Sequence, residues 1–150
     1  MMAVRSEIPS SAPPTSTPQR PSWDDYFFEM ARLVSTRATC PRASVGVVLV
    51  DGSHRVIATG YNGAPSGEPH CVDVGCDIYA NHCMRARHGE ESALASLIEQ
   101  QGAVSEDMQQ MDMYDGAVTA YVSAPLPVCT SCARALRKAG VQEVKWRKSE

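Results

Sequence analysis

No apolar run in the 150 residues approaches the ~20 that a membrane-spanning helix needs, so the chain reads as soluble. An excess of positive charge is also missing: 14 Lys and Arg against 17 Asp and Glu give a formal charge of −3. A general nucleic-acid-binding surface is therefore not expected, although a local basic pocket for a small anion remains open. The first 21 residues, MMAVRSEIPSSAPPTSTPQRP, lack the continuous apolar core of a secretory signal. They hold five of the ten prolines and almost no large apolar side chains, so burial cannot offset their ordering entropy. Residues 1–21 are expected to be a disordered tail and 22–150 a single domain, with 43% apolar content enough for a core. Without an export signal, the six cysteines are expected in a reducing, cytoplasmic setting, where metal ligation is favoured over disulfides.

What is present reads as alternating elements. Ser22 is placed to cap a helix beginning WDDYFFEMARLVSTR, with Asp24 and Asp25 in the first turn, where the helix dipole favours negative charge. Tyr26, Phe27, Met30, Leu33, Val34 and Arg37 follow helical spacing and predict its buried stripe. Strands over 45–50 and 55–61, joined through the turn dipeptide Asp51-Gly52, predict a hairpin. Residues 62–87, rich in Gly, Pro, Cys and His, predict a long irregular segment of the kind that carries function or a metal clip. A helix over 89–100, a strand in AVTAYVS, a helix in TSCARALRKAG closed by Gly140, and a strand in VQEVKWR complete the order. Strands alternating with helices imply an α/β protein whose mixed sheet carries helices on its faces.

Chemistry concentrates at two helix mouths. Cys129 and Cys132 are three apart at the start of a helix, where both sulfurs can project from one end and the dipole favours thiolates. His88 stands at the start of the preceding helix, so across a shared sheet edge the two mouths can face one another. A Cys₂His set leaves the fourth tetrahedral position of a zinc ion for water, as in catalytic rather than structural sites. Two thiolates and a neutral imidazole cancel the metal's charge, so a nearby base must take the proton of that water. Glu90, two residues past His88, suits this work, and H-x-E followed by P-C-x-x-C is the zinc nucleobase deaminase pattern, with the Glu as general acid and base. A lone C-x-x-C would also suit a redox pair, but that motif normally follows the first strand, and this one follows the third.

These motifs resemble the deoxycytidylate (dCMP) deaminases of the cytidine deaminase superfamily. The resemblance runs from about Trp23 to Trp146 through DYFFEMARLVSTRATCPRASVGVVLV, ATGYNGAPSGEPHC, HCMRARHGEESAL and CTSCARALRKAG. It implies a three-layer α/β/α sandwich and hydrolytic removal of the 4-amino group of a deoxycytidine nucleotide, with Glu90 protonating N3 and then the departing amine. It further implies that Asn62 lies beside the sugar and that the Gly89 N–H contacts the base. For the phosphate, Arg42 is the first candidate and Ser44 the second, each equally readable as part of a solvated turn. The resemblance also suggests a homo-oligomer, often a hexamer, with dCTP and dTTP as effectors, and no polymeric nucleic acid or membrane as partner.

Three departures from the family pattern bear on specificity. Gly89 replaces an Ala, which is expected to free a methyl's worth of space beside the base and admit a 5-substituted dCMP. The string SAPLPVC carries Val128 between Pro127 and Cys129, with a longer loop after the strand. The chain also stops soon after VQEVKWR, without the helix and strand that many members carry next; either the charged KWRKSE or a partner subunit is expected to cover the resulting edge. Cys71, Cys76 and Cys83 fall in the irregular segment, which a second, structural zinc could fix. Some bacterial and phage members carry such a zinc, and Cys40 and Cys71 match positions used there. Cys40, Cys71, Cys76 and Cys83 form the preferred set, with His70 or His82 as alternatives for one thiolate and unliganded buried cysteine as the plain alternative. The competing functions are a deaminase of dCTP or another free nucleotide, a deaminase of bases within DNA or RNA, and a non-catalytic zinc or redox module.

Overall fold

Ser22 caps the first helix as expected: its Oγ accepts the Asp25 N–H at 3.1 Å, and α1 runs Trp23–Ser35. In this computed structural model, which describes residues 19–80, 82–101 and 113–149, the expected 1–21 tail falls outside the described residues up to position 18. The buried face of α1 differs from the predicted stripe. Phe27, Phe28, Ala31 and Ser35 face inward, while Tyr26 and Leu33 are 42% and 63% exposed. The cause is a close approach: a Cβ on Gly46 would sit 1.9 Å from the Ala31 carbonyl oxygen, so the helix rests on its Ala31 line. Helical periodicity alone does not specify that contact.

Gly46 begins β1 (Gly46–Val50), the centre of a four-stranded sheet. β1 pairs antiparallel with β2 (Val56–Tyr61) and with β5 (Thr119–Ala124), and β5 pairs parallel with β6 (Glu143–Lys148), giving the order β2-β1-β5-β6. Every residue of β1 is buried because both faces are covered. Val48 and Val50 pack with Phe27, Phe28, Ala31 and Tyr121 on the α1 side. Val47 and Leu49 join Ala93 and Leu97 of α3 (Gly89–Gln101) and Leu136 of α4 (Thr130–Ala139) on the other. The architecture is the expected mixed-sheet, three-layer α/β/α sandwich.

The hairpin turn is longer than the Asp51-Gly52 dipeptide suggests. Asp51 Oδ1 accepts the N–H groups of Ser53 and Arg55, each at 2.9 Å, and His54 takes a left-handed φ of 62°. Residues 62–87 are also less irregular than expected. They contain the one-turn helix α2 (Cys71–Val74) and a minimal hairpin, β3 (Ile78–Tyr79) with β4 (His82–Cys83). At the other edge of the sheet, Lys145 and Arg147 of β6 pair with Asp24 and Asp25 of α1 at 3.0 and 2.9 Å. Exposed pairs of this kind contribute at most about 1 kcal/mol each, so they orient the strand more than they stabilise it. Among the described residues no helix is long and apolar enough to cross a membrane.

Candidate active site

A second close approach sets the site. A Cβ on Gly60 of β2 would lie 2.3 Å from the Ala93 nitrogen and 2.5 Å from the Gly89 oxygen, so only glycine lets the first turns of α3 rest on that strand. This seats His88 and Glu90 at the sheet edge toward which α4 also opens. Cys129 is the N-cap of α4, its sulfur accepting the Cys132 N–H at 3.4 Å. His88 Nδ1 lies 3.2 Å from Cys132 Sγ and 3.7 Å from Cys129 Sγ. Tetrahedral zinc, with bonds of ~2.3 Å to sulfur and ~2.0 Å to nitrogen, places such donors ~3.5 Å apart, so the three residues fit the ion. Burial, and after it the negative charge of Glu90, hold the Cys132 thiol above its ordinary range. A divalent cation between these groups reverses that balance.

Glu90 is 5% exposed and lines a cavity of about 330 Å³ together with His88, Cys129, Asn62 and Arg42. Asn62 is locked in place, its Oδ1 accepting the Val45 N–H at 2.8 Å and its Nδ2 donating to the Ala43 carbonyl at 2.6 Å. It thereby braces the segment that carries Arg42, with one amide N–H and one lone pair to spare. Ala124, Pro125, Leu126 and Pro127 form another wall, so the longer loop does border the cavity, while Val128 packs against the main core.

Two expectations change here. Ser44 does not reach this cavity; it lines a separate one with Arg32, Ser123 and Arg147, because successive residues entering β1 point to opposite faces. Gly89 is buried and absent from the cavity wall, and a Cβ on it would meet Val45 Cγ1 at 3.0 Å and Val47 Cγ2 at 3.2 Å. The missing methyl leaves its room to these valines and not to a base.

Cys40, Cys71, Cys76 and Cys83 form a second cluster, all ligand atoms within 4.8 Å of one another. The Sγ atoms of Cys71 and Cys83 are 3.5 Å apart and those of Cys40 and Cys76 are 3.8 Å apart, against ~3.8 Å for two thiolates on tetrahedral zinc. Burial opposes ionisation of Cys83, yet backbone N–H groups of Ala86, Asp77 and Arg85 and the Cys71 thiol lower it to about 6. Burial and the bond to Cys83 push the Cys71 thiol up. His70 is outside the cluster and caps α2 without a side-chain bond, its Nδ1 buried and unpartnered. The side chain of His82 lies outside the described residues. Cys40 and Cys83 also line the cavity, so the two clusters share a wall. Sequence reasoning missed that junction, and it missed Arg87, which lines the cavity beside His88. Its position next to a ligand was the available signal.

Residues 21–148 match the family described as the cytidine and deoxycytidylate deaminase zinc-binding region. The chain belongs to this family. This deaminase-family chain is 35% identical over 128 residues to ComE operon protein 2 of Bacillus subtilis (strain 168), covering 85% of its own length and 60% of the relative. It is 48% identical over 83 residues to the deoxycytidylate deaminase of Schizosaccharomyces pombe, covering 50% of itself and 26% of that protein. The chain thus spans only part of these curated relatives. In fold it matches the cyanophage S-TIM5 dCMP deaminase, crystallised in complex with dCMP and dUMP, with a TM-score of 0.64 at 22% identity, covering 88% of this chain and 85% of that one. The cytidine deaminase of Mycobacterium leprae matches with a TM-score of 0.52 at 18% identity over 86% of this chain and 89% of that one. The fold is cytidine deaminase-like.

Proposed function

We propose that the chain catalyses the zinc-dependent hydrolytic deamination of dCMP to dUMP and ammonia. The observation that carries this reading is the convergence of His88, Cys129 and Cys132 with buried Glu90 on one cavity wall. Three nitrogen and sulfur donors with a carboxylate alongside suit a hydrolytic centre, whereas a structural zinc takes four strong ligands. Zinc held there supplies a Lewis acid that acidifies water. The Glu90 carboxylate takes one proton from the attacking water as its oxygen bonds C4 and delivers it to N3, then takes the second from the new C4 hydroxyl and delivers it to the amine as the C4–N bond breaks and the C4=O bond forms. The carboxylate is restored and ammonia leaves. The free amide valences of Asn62 serve the sugar. Arg42 faces the phosphate.

The four-cysteine cluster is read as the site of a second, structural zinc, and the free thiols as suited to the cytoplasm. An acidic chain with a small cavity favours a free nucleotide over a polymer. The test is ammonia release by zinc-loaded protein from dCMP, dCTP, 5-methyl-dCMP, deoxycytidine and a cytosine-containing oligonucleotide. Fastest turnover is expected with dCMP; turnover confined to the oligonucleotide, or none, overturns the reading.

A further inference from the structure

One wall of the substrate cavity is apolar throughout: Ala124, Pro125, Leu126 and Pro127 follow one another along it. Leu126 stands there 73% exposed. Exposed leucines are common, but this one is held in place. At one end of its loop the Ala124 carbonyl accepts both the Trp146 indole N–H at 3.2 Å and the Ser149 N–H at 3.0 Å. At the other end Val128 packs against the main core and Cys129 caps α4. Between these anchors Pro125 and Pro127 have fixed φ, and each disfavours helical backbone at the residue before it, here Ala124 and Leu126. A short arm, anchored at both ends and stiffened by two prolines, thus sets an apolar side chain against the cavity.

The polar groups of the cavity, among them Glu90, Asn62 and His88, come from other segments. A cytosine ring is divided in the same way. O2, N3 and the 4-amino group form a polar edge, and the C–H groups at C5 and C6 form an apolar one. In the reading above Glu90 works at N3, which turns the polar edge toward Glu90 and leaves the C5–C6 edge for the apolar wall. The opposite orientation would leave the hydrogen-bonding groups of the ring unpaired against that wall, a cost that the C–H edge does not incur. Cys129 follows Leu126 by three residues, so the arm ends at the donors beside which C4 reacts, and C5 is the ring atom next to C4.

We propose that Leu126 covers the C5–C6 edge of the substrate's base and, by apolar contact with a substituent at C5, sets how well a 5-methylated nucleotide competes with the plain one. This inference rests on the deaminase reading and names a specificity-determining residue for it. A methyl at C5 adds apolar surface where the arm already presents it, so the contact favours the methylated base.

The test compares zinc-loaded full-length protein with Leu126→Ala and Leu126→Met, measuring kcat/KM for dCMP and for 5-methyl-dCMP. Leu126→Ala is expected to lower the ratio of 5-methyl-dCMP to dCMP by about 3–10-fold, the factor that a methyl-sized apolar contact commands. Leu126→Met, which conserves volume, should keep the ratio within about 2-fold of the wild type. A ratio unchanged or raised in Leu126→Ala, or lowered equally in Leu126→Met, overturns the proposal while leaving the deaminase reading intact. If the wild-type protein turns over neither compound, the deaminase reading fails, and calorimetric binding of dUMP and dTMP, which differ only by the 5-methyl group, judges Leu126 separately. Tighter binding of dTMP that Leu126→Ala removes then supports the contact. No preference for dTMP in the wild type, or a preference that survives in Leu126→Ala, overturns it.

Discussion

The two donor clusters of this chain are made of similar atoms and built for opposite ends. His88, Cys129 and Cys132 offer three donors, with Cys129 and His88 exposed and a buried carboxylate alongside. Cys40, Cys71, Cys76 and Cys83 offer four, none exposed and with no carboxylate in the set. An ion in the first retains an open position; in the second it is enclosed. The difference lies in what carries the donors. The open site is mounted on two long helices seated on the sheet, so the scaffold holds its geometry without the metal. The closed site ties together a loop, a single-turn helix and a two-residue hairpin, none of which has a core of its own. Metal bound there would substitute for hydrophobic packing.

Removing a donor from the open site is the most severe way to break this contrast. Cys129→Ala should abolish ammonia release and lower zinc content from about two ions per chain to one, read by metal analysis, with the fold retained by circular dichroism. Glu90→Gln separates chemistry from ligation: kcat should fall by ~10²–10⁴-fold while metal content stays at the wild-type value. Loss of zinc in that variant would show Glu90 to be a ligand.

Cys71→Ser tests the closed site. Its Tm should drop by roughly 10 °C, since each kcal/mol moves a domain of this size by about 4 °C. Because Cys40 and Cys83 also line the substrate cavity, a rise in KM for dCMP on the order of 10-fold should accompany it. A kcat that fell as far as in Glu90→Gln would erase the distinction between the clusters.

Gly89→Ala should have the smallest effect. The added methyl meets Val45 and Val47 tightly, so a stability change of about 1 kcal/mol by thermal melting is expected from overpacking. The ratio of kcat/KM for 5-methyl-dCMP to that for dCMP should stay within about 2-fold. A larger change would mean that the base packs where the valines do.

The cluster of His88, Cys129 and Cys132 was legible because its donors sit within a few residues of helix starts, where local geometry dictates the direction of a side chain. The four-cysteine cluster was legible only with the family resemblance, since Cys40 and Cys76 are 36 residues apart and no local spacing joins them. Ser44 and Gly89 were misplaced for a related reason. Neighbouring residues at a strand or helix entrance face different ways, and a one-residue ambiguity exchanges cavity for core. Arg87 escaped notice because an arginine beside a ligand looks like any surface arginine until the cavity it lines is seen.

By itself, then, the sequence determined the order of elements, the Ser22 and Gly140 caps, and which residues are the candidate metal donors and the candidate proton carrier. These depend on dihedral preference, periodicity and donor chemistry, all properties of short stretches of chain. Only the tertiary structure decided which face of α1 is buried, that Gly46 and Gly60 admit helices onto the sheet, and that the two thiol clusters share the cavity wall from which Arg42 and Arg87 extend. Those features arise from contacts between segments distant in sequence, where packing distance and not local propensity chooses among arrangements that the pattern leaves equal.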